Sequence, residues 1–276
     1  MAITQHELDR ENAAFWSELC GSGLARSLGI TGREPDALRR FDDAYFAYYP
    51  YLKSYVDRFD LADEDVLEIG LGYGTLGQYI AERGARYFGL DLAGAPVEMM
   101  RHRLRMLGDP ADDRVVAGSA LDAPFPSAAF DYVYSIGCLH HTGDLARACR
   151  EVHRVLRPGG TAVLMVYNRH SWRQLWQVDR RRIAAAVGLG RAPGDAKRRR
   201  RYDRNAAGAA APHTDFTSRT DVRLLLGDFD DVRVRAENFD PIRFRRTTLV
   251  SRERLLTGPL PRLLGLDLYV VARKAG

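Results

Sequence analysis

Short apolar runs alternate with longer amphipathic stretches through the middle of the chain. Five runs have the length and composition of buried strands, at 66–69, 87–90, 115–117, 132–135 and 161–166. Between them, apolar residues recur at the three- and four-residue spacing of helices, at 75–83, 96–106 and 144–156. This alternation predicts a parallel sheet whose right-handed crossover helices cover both faces.

The first 61 residues lack this alternation and predict a helical segment. Their apolar side chains recur along one helix face, as Phe41, Tyr45, Tyr48, Leu52, Tyr55 and Phe59. Pro50 interrupts the series and predicts a division into two helices. We expect residues 1–61 to form a helical lid beside the sheet.

The alternation stops again beyond the fifth strand. Residues 169–214 carry arginine and lysine runs, alanine-rich pieces and scattered glycines, which indicates an inserted basic, helical cap or linker. Strand patterns return at 232–235 and 266–272, after a helical stretch at 221–226. Because no strong helix pattern separates these two strands, we expect an antiparallel final pair at the sheet edge.

Together these patterns predict an α/β fold with a doubly wound, mostly parallel, seven-stranded sheet and an antiparallel final strand. Residues 62–168 and 215–276 form its core.

The 276 residues are 46% hydrophobic and 28% charged, the balance of a globular protein rather than a disordered or fibrous one. No apolar run approaches the roughly 18–20 residues that span a bilayer, and the N-terminus has no basic leader, so we predict a cytoplasmic protein without a membrane partner.

The cysteines and the charges add little specific chemistry. Cys20, Cys138 and Cys149 are too widely spaced for a disulfide framework or a metal knuckle. The net charge of +5 is concentrated at 180–182 and in the KRRRR run at 197–201. No aromatic residues interleave these runs for stacking on bases, so we favour a solvated surface segment over a nucleic-acid site.

The strongest chemical pattern is a glycine-rich turn after the first strand. The sequence VLEIGLGYG at 66–74 runs from a buried strand into Gly70, Gly72 and Gly74, where the backbone can approach a ligand closely. Asp91 ends the next strand about twenty positions later, where a carboxylate can accept both hydroxyls of an adenosine ribose. This combination predicts a nucleoside cofactor.

Two features distinguish between a dinucleotide and other nucleoside cofactors: the position of the glycines and the presence of Glu68. The dinucleotide pattern G-x-G-x-x-G is matched only from Gly72 to Gly77, although a dinucleotide turn begins directly after the strand. The Glu68 carboxylate would repel a pyrophosphate but suits a ligand that carries an ammonium and a sulfonium. A nicotinamide-dependent dehydrogenase is therefore disfavoured.

These residues resemble the first motif of class I S-adenosylmethionine-dependent methyltransferases, E/D-x-G-x-G-x-G. Three later segments resemble further motifs in the family's order: the adenine loop at 118–125, the fourth strand at 130–135 and the turn before the fifth strand at 156–160. The resemblance implies a Rossmann-like core with S-adenosylmethionine as cofactor and S-adenosylhomocysteine as product. The cofactor-binding residues that it implies are Glu68, Gly70, Gly72, Gly74, Asp91, Leu92, Ser119, Ala120, Leu121, Ser135 and Ile136.

Ser119 departs from the family pattern, because many relatives carry an Asp there that accepts the adenine amino group. Backbone groups of Ala120 and Leu121, or the Asp122 side chain, could replace that contact. Asp122 could equally be a turn residue before Pro124.

A histidine pair follows the fourth strand, at the carboxyl edge of the sheet where open α/β folds bind ligands. His140 and His141 are candidate catalytic bases, since histidine has a pKa suited to deprotonating a hydroxyl or a protonated amine. Similar pairs recur in the family as part of the fold, which leaves a structural role open. Asp144 beside them is suited to capping the next helix.

Contacts to the methyl acceptor are expected from the lid, the end of the fifth strand and the end of the cap. The candidates are Tyr45, Tyr49, Tyr167, Asn168, His170 and His213. No spacing typical of a metal site links the histidines, so no metal is predicted.

We predict an enzyme that transfers a methyl group to an oxygen, nitrogen or carbon of a small molecule. Arginine-rich acceptor segments favour an anionic acceptor, and the high Arg and Ala usage favours bacterial specialised metabolism. The alternatives are an RNA methyltransferase that uses the run from Lys197 to Arg201 on phosphates, and a non-catalytic relative that only binds the cofactor.

Overall fold

The computed structural model describes residues 3–18, 23–109, 112–175, 195–244 and 247–276. Two features of the sequence, Cys20 and the basic run at 180–182, lie outside the described residues. No helix in the described ranges is long and apolar enough to cross a membrane.

The strands are β1 (Asp65–Ile69), β2 (Arg86–Asp91), β3 (Val115–Ala117), β4 (Phe130–Ile136), β5 (Leu156–Asn168), β6 (Phe216–Thr217), β7 (Phe229–Glu237), β8 (Ile242–Phe244), β9 (Thr247–Val250) and β10 (Asp267–Lys274). The helices are α1 (Gln5–Trp16), α2 (Gly23–Ser27), α3 (Pro35–Tyr48), α4 (Leu52–Asp57), α5 (Thr75–Ala81), α6 (Gly94–Met106), α7 (Leu145–Val155), α8 (Trp172–Leu175), α9 (Asp195–Arg199), α10 (Arg219–Leu225), α11 (Arg252–Leu256) and α12 (Leu260–Leu264).

The main sheet has the strand order β3-β2-β1-β4-β5-β10-β7, and β1 to β5 are mutually parallel. All five residues of β1 are buried, because helices cover both faces of a parallel sheet. The predicted doubly wound, mostly parallel sheet is confirmed.

The last two strands of the sheet form an antiparallel pair at its edge, as predicted, with β7 outermost and β10 inside it. β10 pairs antiparallel with β5 on one side and with β7 on the other, with Leu268 opposite both Val166 and Ala236. The first four residues of β10 are buried, whereas most of β7 is exposed or half-buried, so the more apolar strand occupies the inner position.

Three short strands were not predicted. β6 pairs with the end of β5, which brings Phe216 beside Tyr167, and β8 with β9 forms a separate hairpin. These strands have only two to four residues and, unlike β3, do not lie in the regular alternation of strand and helix patterns.

The described part of the N-terminal segment, residues 3–18 and 23–61, contains four helices, and Pro50 lies between α3 and α4 as predicted. Phe41, Leu52 and Tyr55 are buried on the predicted apolar face. Tyr48 was expected there as well but is 41% exposed, with the Arg252 guanidinium 4.0 Å from its ring centroid.

A buried ion pair attaches α3 to the sheet region. The Arg103 side chain on α6 is fully buried and donates two hydrogen bonds to Asp42 of α3, at 2.8 and 2.9 Å. Arg103 also donates to the Tyr73 carbonyl and to Gln78, while the Thr75 hydroxyl donates to Asp42. The glycine turn and the lid therefore share one hydrogen-bond network.

Part of the basic run at 197–201 packs against the core. The Arg198 guanidinium lies 4.3 Å from the Phe216 ring centroid, and Arg199 donates to the Ala211 carbonyl at 2.9 Å. Lys197, Arg200 and Arg201 are exposed. These contacts give two of the cations a structural role in placing the cap.

Candidate active site

Three cavities meet at the carboxyl edge of the sheet. The glycine-loop cavity is lined by Gly70, Gly72, Asp91, Leu92, Ser119 and Ala120 among others. The Glu68 cavity includes Glu68, Tyr45 and Tyr73, and the tyrosine cavity includes Tyr45, Tyr48, Tyr49, Tyr167, Tyr202 and Tyr269. Ile136, at the end of β4, lines all three, so a ligand atom beside it can be reached from each cavity.

The glycine turn has the backbone conformation that its composition predicts. Gly70, Gly72 and Gly74 have φ of +87°, +52° and +74°, in the left-handed region. A Cβ added to Gly70 would lie 2.3 Å from the Cβ of Cys138, whereas one added to Gly72 would meet no atom within 4 Å. Gly72 therefore leaves its backbone open to a ligand in the cavity.

Asp91 braces the glycine turn and lines the cavity. Its carboxylate accepts hydrogen bonds from the backbone N–H of Leu71 at 2.8 Å and of Ala93 at 2.9 Å. Burial raises the pKa of Asp91 to about 6, and the backbone donors oppose that rise. Each carboxylate oxygen has further acceptor capacity, so two ribose hydroxyls can still donate to it.

Glu68 is a buried carboxylate beside the glycine turn. Burial raises its pKa to about 8, although the Tyr87 hydroxyl donates to it at 2.5 Å. Asp91 raises this pKa and Arg103 lowers it. A ligand cation in the Glu68 cavity would stabilise the ionised form of this carboxylate.

The predicted adenine loop is only partly exposed to the cavity. Ser119 and Ala120 line it, but Leu121 packs in the hydrophobic core and its N–H donates to the Ser119 hydroxyl at 3.2 Å. Asp122 is exposed, as a turn residue would be. Ser135 is fully buried and donates to the Ile69 carbonyl, so it joins β4 to β1 instead of lining a cavity described here.

Comparison with known proteins points to the same region. Residues 67–164 match a family described as a methyltransferase domain. The ubiquinone biosynthesis O-methyltransferase of Pseudomonas aeruginosa is 34% identical over 122 residues, which cover 44% of this chain and 52% of the relative. The chain therefore spans about half the length of that relative.

Solved structures share the fold over most of the chain. A chain from the complex between the Haloferax volcanii Trm112 methyltransferase activator and a methyltransferase has a TM-score of 0.57 at 18% identity, covering 88% of this chain and 96% of that one. An S-adenosylmethionine-dependent methyltransferase of Methanosarcina mazei has a TM-score of 0.52 at 19% identity, covering 82% and 98%. Residues 67–164 are thus similar in sequence to a methyltransferase domain, and the solved structures share the fold that surrounds them.

S-adenosylmethionine is the cofactor of such a domain, and the residues present fit it. Asp91 would hold the ribose, the open backbone at Gly72 would lie against the nucleoside, and Glu68 would face the positively charged methionine part. Gly74 caps α5 and does not line the described cavities. Bound there, the cofactor supplies an activated methyl group.

Helix α1 of the lid covers the glycine-loop cavity of the methyltransferase domain, with Asp9, Asn12 and Trp16 in its lining. Asn12 donates to the His141 carbonyl at 2.8 Å, and its side-chain oxygen is buried without a hydrogen-bond partner among the described residues. The sequence did not predict this contact of Asn12, because a single Asn on a helix has no distinctive pattern.

The acceptor candidates separate into two groups. Tyr45, Tyr49 and Tyr167 line the tyrosine cavity. Asn168, His170 and His213 do not line the three cavities described here.

The second group has other partners. The Asn168 amide donates to the Gly265 carbonyl, which fixes a loop. His170 is exposed, and the His213 ring lies 3.1 Å from Asp215. These three residues lie outside the three cavities, and their contact with the acceptor stays a prediction.

The two histidines have different environments. His140 is fully buried against His141 and Tyr167, with ring centroids 4.2 Å away in each case, and it lines none of the three cavities. Burial and the neighbouring His141 hold the pKa of His140 well below its usual value. His141 lines the glycine-loop cavity beside Trp16, so the candidate base is His141.

The tyrosine cavity also contains charges of both signs. Asp203 and Asp267 line it together with Arg26, Arg173 and Arg204. Burial raises the pKa of Asp267 to about 7, although Asn238 donates to it at 2.8 Å. Arg173 forms an ion pair with Asp240 at 2.7 Å. Because of this pair and the acidic residues in the lining, the cavity is not purely cationic.

Asp203 was missed because nothing in the sequence of the cap places one residue in a pocket. The described residues contain no group of three or more His, Cys, Asp or Glu side chains that could hold a metal ion.

Proposed function

We propose that this protein transfers the methyl group of S-adenosylmethionine to a small-molecule acceptor bound in the tyrosine cavity. The main support for this proposal is that the glycine-loop and tyrosine cavities share Trp16, Ile136 and Gly137. A cofactor in the first and an acceptor in the second would meet at these residues. The tyrosine cavity, at about 520 Å³, is in the range of drug-sized ligand sites of roughly 300–1,000 Å³.

The chain's own residues would bind, orient and exclude water. Tyr45 and Tyr49 offer aromatic faces and hydroxyls to the acceptor, and Trp16 covers the junction between the cavities. Holding a nucleophile in line with the methyl carbon supplies most of the acceleration such a transfer needs.

The relatives support a small acceptor. The Pseudomonas aeruginosa protein is named an O-methyltransferase of ubiquinone biosynthesis, which is small-molecule chemistry. We include in the proposal the division into a lid (1–61), a core (62–168 and 215–276) and a cap (169–214). Specialised metabolism, an anionic acceptor and a cytoplasmic location rest on composition and stay predictions.

The test is calorimetry with S-adenosylmethionine, S-adenosylhomocysteine and NAD, followed by release of S-adenosylhomocysteine with phenol and amine acceptors. We expect binding of the two sulfur nucleosides alone and acceptor-dependent release of the product. Binding of NAD instead would refute the cofactor assignment. Cofactor binding without release with any acceptor would favour a non-catalytic relative, and release only with RNA would favour the RNA enzyme.

A further inference from the structure

Three side chains lie in series between the two cavities: half-buried Tyr167, half-buried Asp203 and buried His141. The Tyr167 hydroxyl donates to Asp203, with distances of 3.1 and 3.0 Å to the two carboxylate oxygens. The Asp203 Oδ2 lies 3.6 Å from Nε2 of His141. Asp203 lines the tyrosine cavity and His141 lines the glycine-loop cavity, so the series joins the acceptor side to the cofactor side.

The hydrogen bonds of His141 determine its tautomer, that is, which ring nitrogen carries the hydrogen in the neutral form. Nδ1 lies 2.7 Å from the His213 carbonyl, which can only accept, so Nδ1 carries the hydrogen. In the neutral ring Nε2 then has a lone pair, and it is buried without a hydrogen-bond partner among the described residues. The Tyr167 hydroxyl already donates its only hydrogen to Asp203.

A lone pair on Nε2 facing an ionised carboxylate is an unfavourable arrangement that one added proton relieves. Burial raises the pKa of Asp203 from its ordinary 3.8 and lowers that of His141 from its ordinary 6.5, so the two values approach each other. An added proton would therefore be shared by the two groups, and we expect them to titrate as a pair.

Other charged groups surround this pair. His140 and Tyr167 contact His141, while His213 and Asp215 act on it from the loop before β6. Arg173 of α8 acts on Asp203 and stabilises its ionised form.

We propose that Asp203 and His141 form one proton-accepting pair for the methyl acceptor. This rests on the proposed function and narrows it: the acceptor is a hydroxyl or a protonated amine, because a nucleophile without a proton to lose would not need the pair. Asp203, supplied by the cap, touches the acceptor side, and Tyr167 is a positioning residue that orients its carboxylate.

A hydroxyl acceptor reacts through its oxygen. The oxygen uses a lone pair to form a bond to the methyl carbon, the bond from that carbon to sulfur breaks, and its electron pair stays on sulfur. The hydroxyl proton passes to Asp203 and is held by Asp203 and His141 together. The pair must be proton-free before the step, so turnover should decrease as the pH falls through its pKa.

The experiment uses the full chain with S-adenosylmethionine and the best phenol or amine acceptor, comparing the parent with Asp203→Asn. The amide keeps the shape but cannot accept a proton. We expect kcat to fall about 100-fold, which is the low end of general-base effects. The affinity of the variant for S-adenosylhomocysteine should stay within about threefold of the parent's affinity. Because Asp203 stabilises the protonated ring of His141, its loss should move the acid limb of the residual activity to lower pH.

A second readout does not require turnover. The ¹⁵N chemical shifts of the His141 ring should titrate at lower pH in Asp203→Asn than in the parent, whether or not an acceptor is known. Asp215→Asn is the comparison variant. Its carboxylate also raises the pKa of His141, but less than Asp203 does, and Asp215 lines neither cavity, so we expect a smaller shift of the titration and a kcat near that of the parent. Asp203→Glu should restore part of the activity.

Parental kcat and an unchanged His141 titration in Asp203→Asn would overturn the proposal. A second result would also overturn it: Asp203→Asn loses activity, but the pH profile and the His141 titration do not change and Asp203→Glu restores nothing. That combination would mean that Asp203 only supports the local structure. If the parent itself releases no S-adenosylhomocysteine, the proposed function fails, and the His141 titration still decides whether the pair exists.

Discussion

Removing the Asp42 carboxylate should destabilise the lid and the glycine turn together. Arg103 is fully buried, and Asp42 neutralises it with two hydrogen bonds. In Asp42→Ala the guanidinium would keep only the Tyr73 carbonyl and Gln78 as partners. An unpaired buried charge is costly because it has lost water without gaining a counterion.

The expected loss is about 3 kcal/mol in the free energy of unfolding, the lower end for breaking a buried pair, since two dipolar partners remain. For a chain of this length, that loss corresponds to a decrease in Tm of about 6–12 °C. Replacing both charges, as Asp42→Leu with Arg103→Met, should cost less than Asp42→Ala alone, because no buried charge is then left unpaired.

The assay is thermal and urea unfolding of the parent and the variants at neutral pH. Asp36→Ala is the control on the same helix, because its partner Arg39 is exposed and such pairs contribute about 0–1 kcal/mol. If Asp42→Ala loses no more stability than Asp36→Ala, or if the double variant is the least stable, Arg103 does not depend on Asp42 and the reasoning is wrong.

Two further predictions concern the cofactor. Because Glu68 has a pKa of about 8 and only its ionised form attracts a cation, affinity for S-adenosylmethionine should rise with pH through about 8 and level off above it. Glu68→Gln should weaken this rise in calorimetry, and an identical slope would exclude the role. Gly77→Ala would place a Cβ 2.5 Å from the Tyr87 hydroxyl and 2.6 Å from Glu68, so stability should fall by about 1–3 kcal/mol and cofactor affinity should decrease. Gly94→Ala, whose Cβ would meet nothing within 4 Å, is the control, and equal effects would contradict the clash.

The parallel core was predictable because its strands are buried on both faces and are therefore apolar throughout, as in β1. The glycine turn was predictable as well, since positive φ at Gly70 and Gly72 requires a residue without a side chain. Asp144 was recognised as a helix cap, and its side chain does accept the Arg147 N–H at the start of α7.

Long-range polar contacts were not predictable. The pairing of Asp42 with Arg103 and the approach of Asp203 to His141 join residues about 60 apart in the chain, and no local pattern encodes such distances. Buried polar residues with structural hydrogen bonds are also hard to distinguish from ligand contacts in a sequence. Ser135 and Asn168 look like ligand contacts in the sequence, but each donates to a backbone carbonyl inside the fold.

The two halves of the site come from different parts of the chain. All residues that line the glycine-loop cavity precede position 143 in the sequence. The lining of the tyrosine cavity also includes Tyr202 and Asp203 of the cap and Asp267 and Tyr269 of the last strand. Those four residues lie beyond position 164, where the match to the methyltransferase domain ends. Mutations during evolution could therefore exchange one acceptor for another without altering the surface that holds the cofactor, so homologues alike over residues 67–164 need not share a substrate.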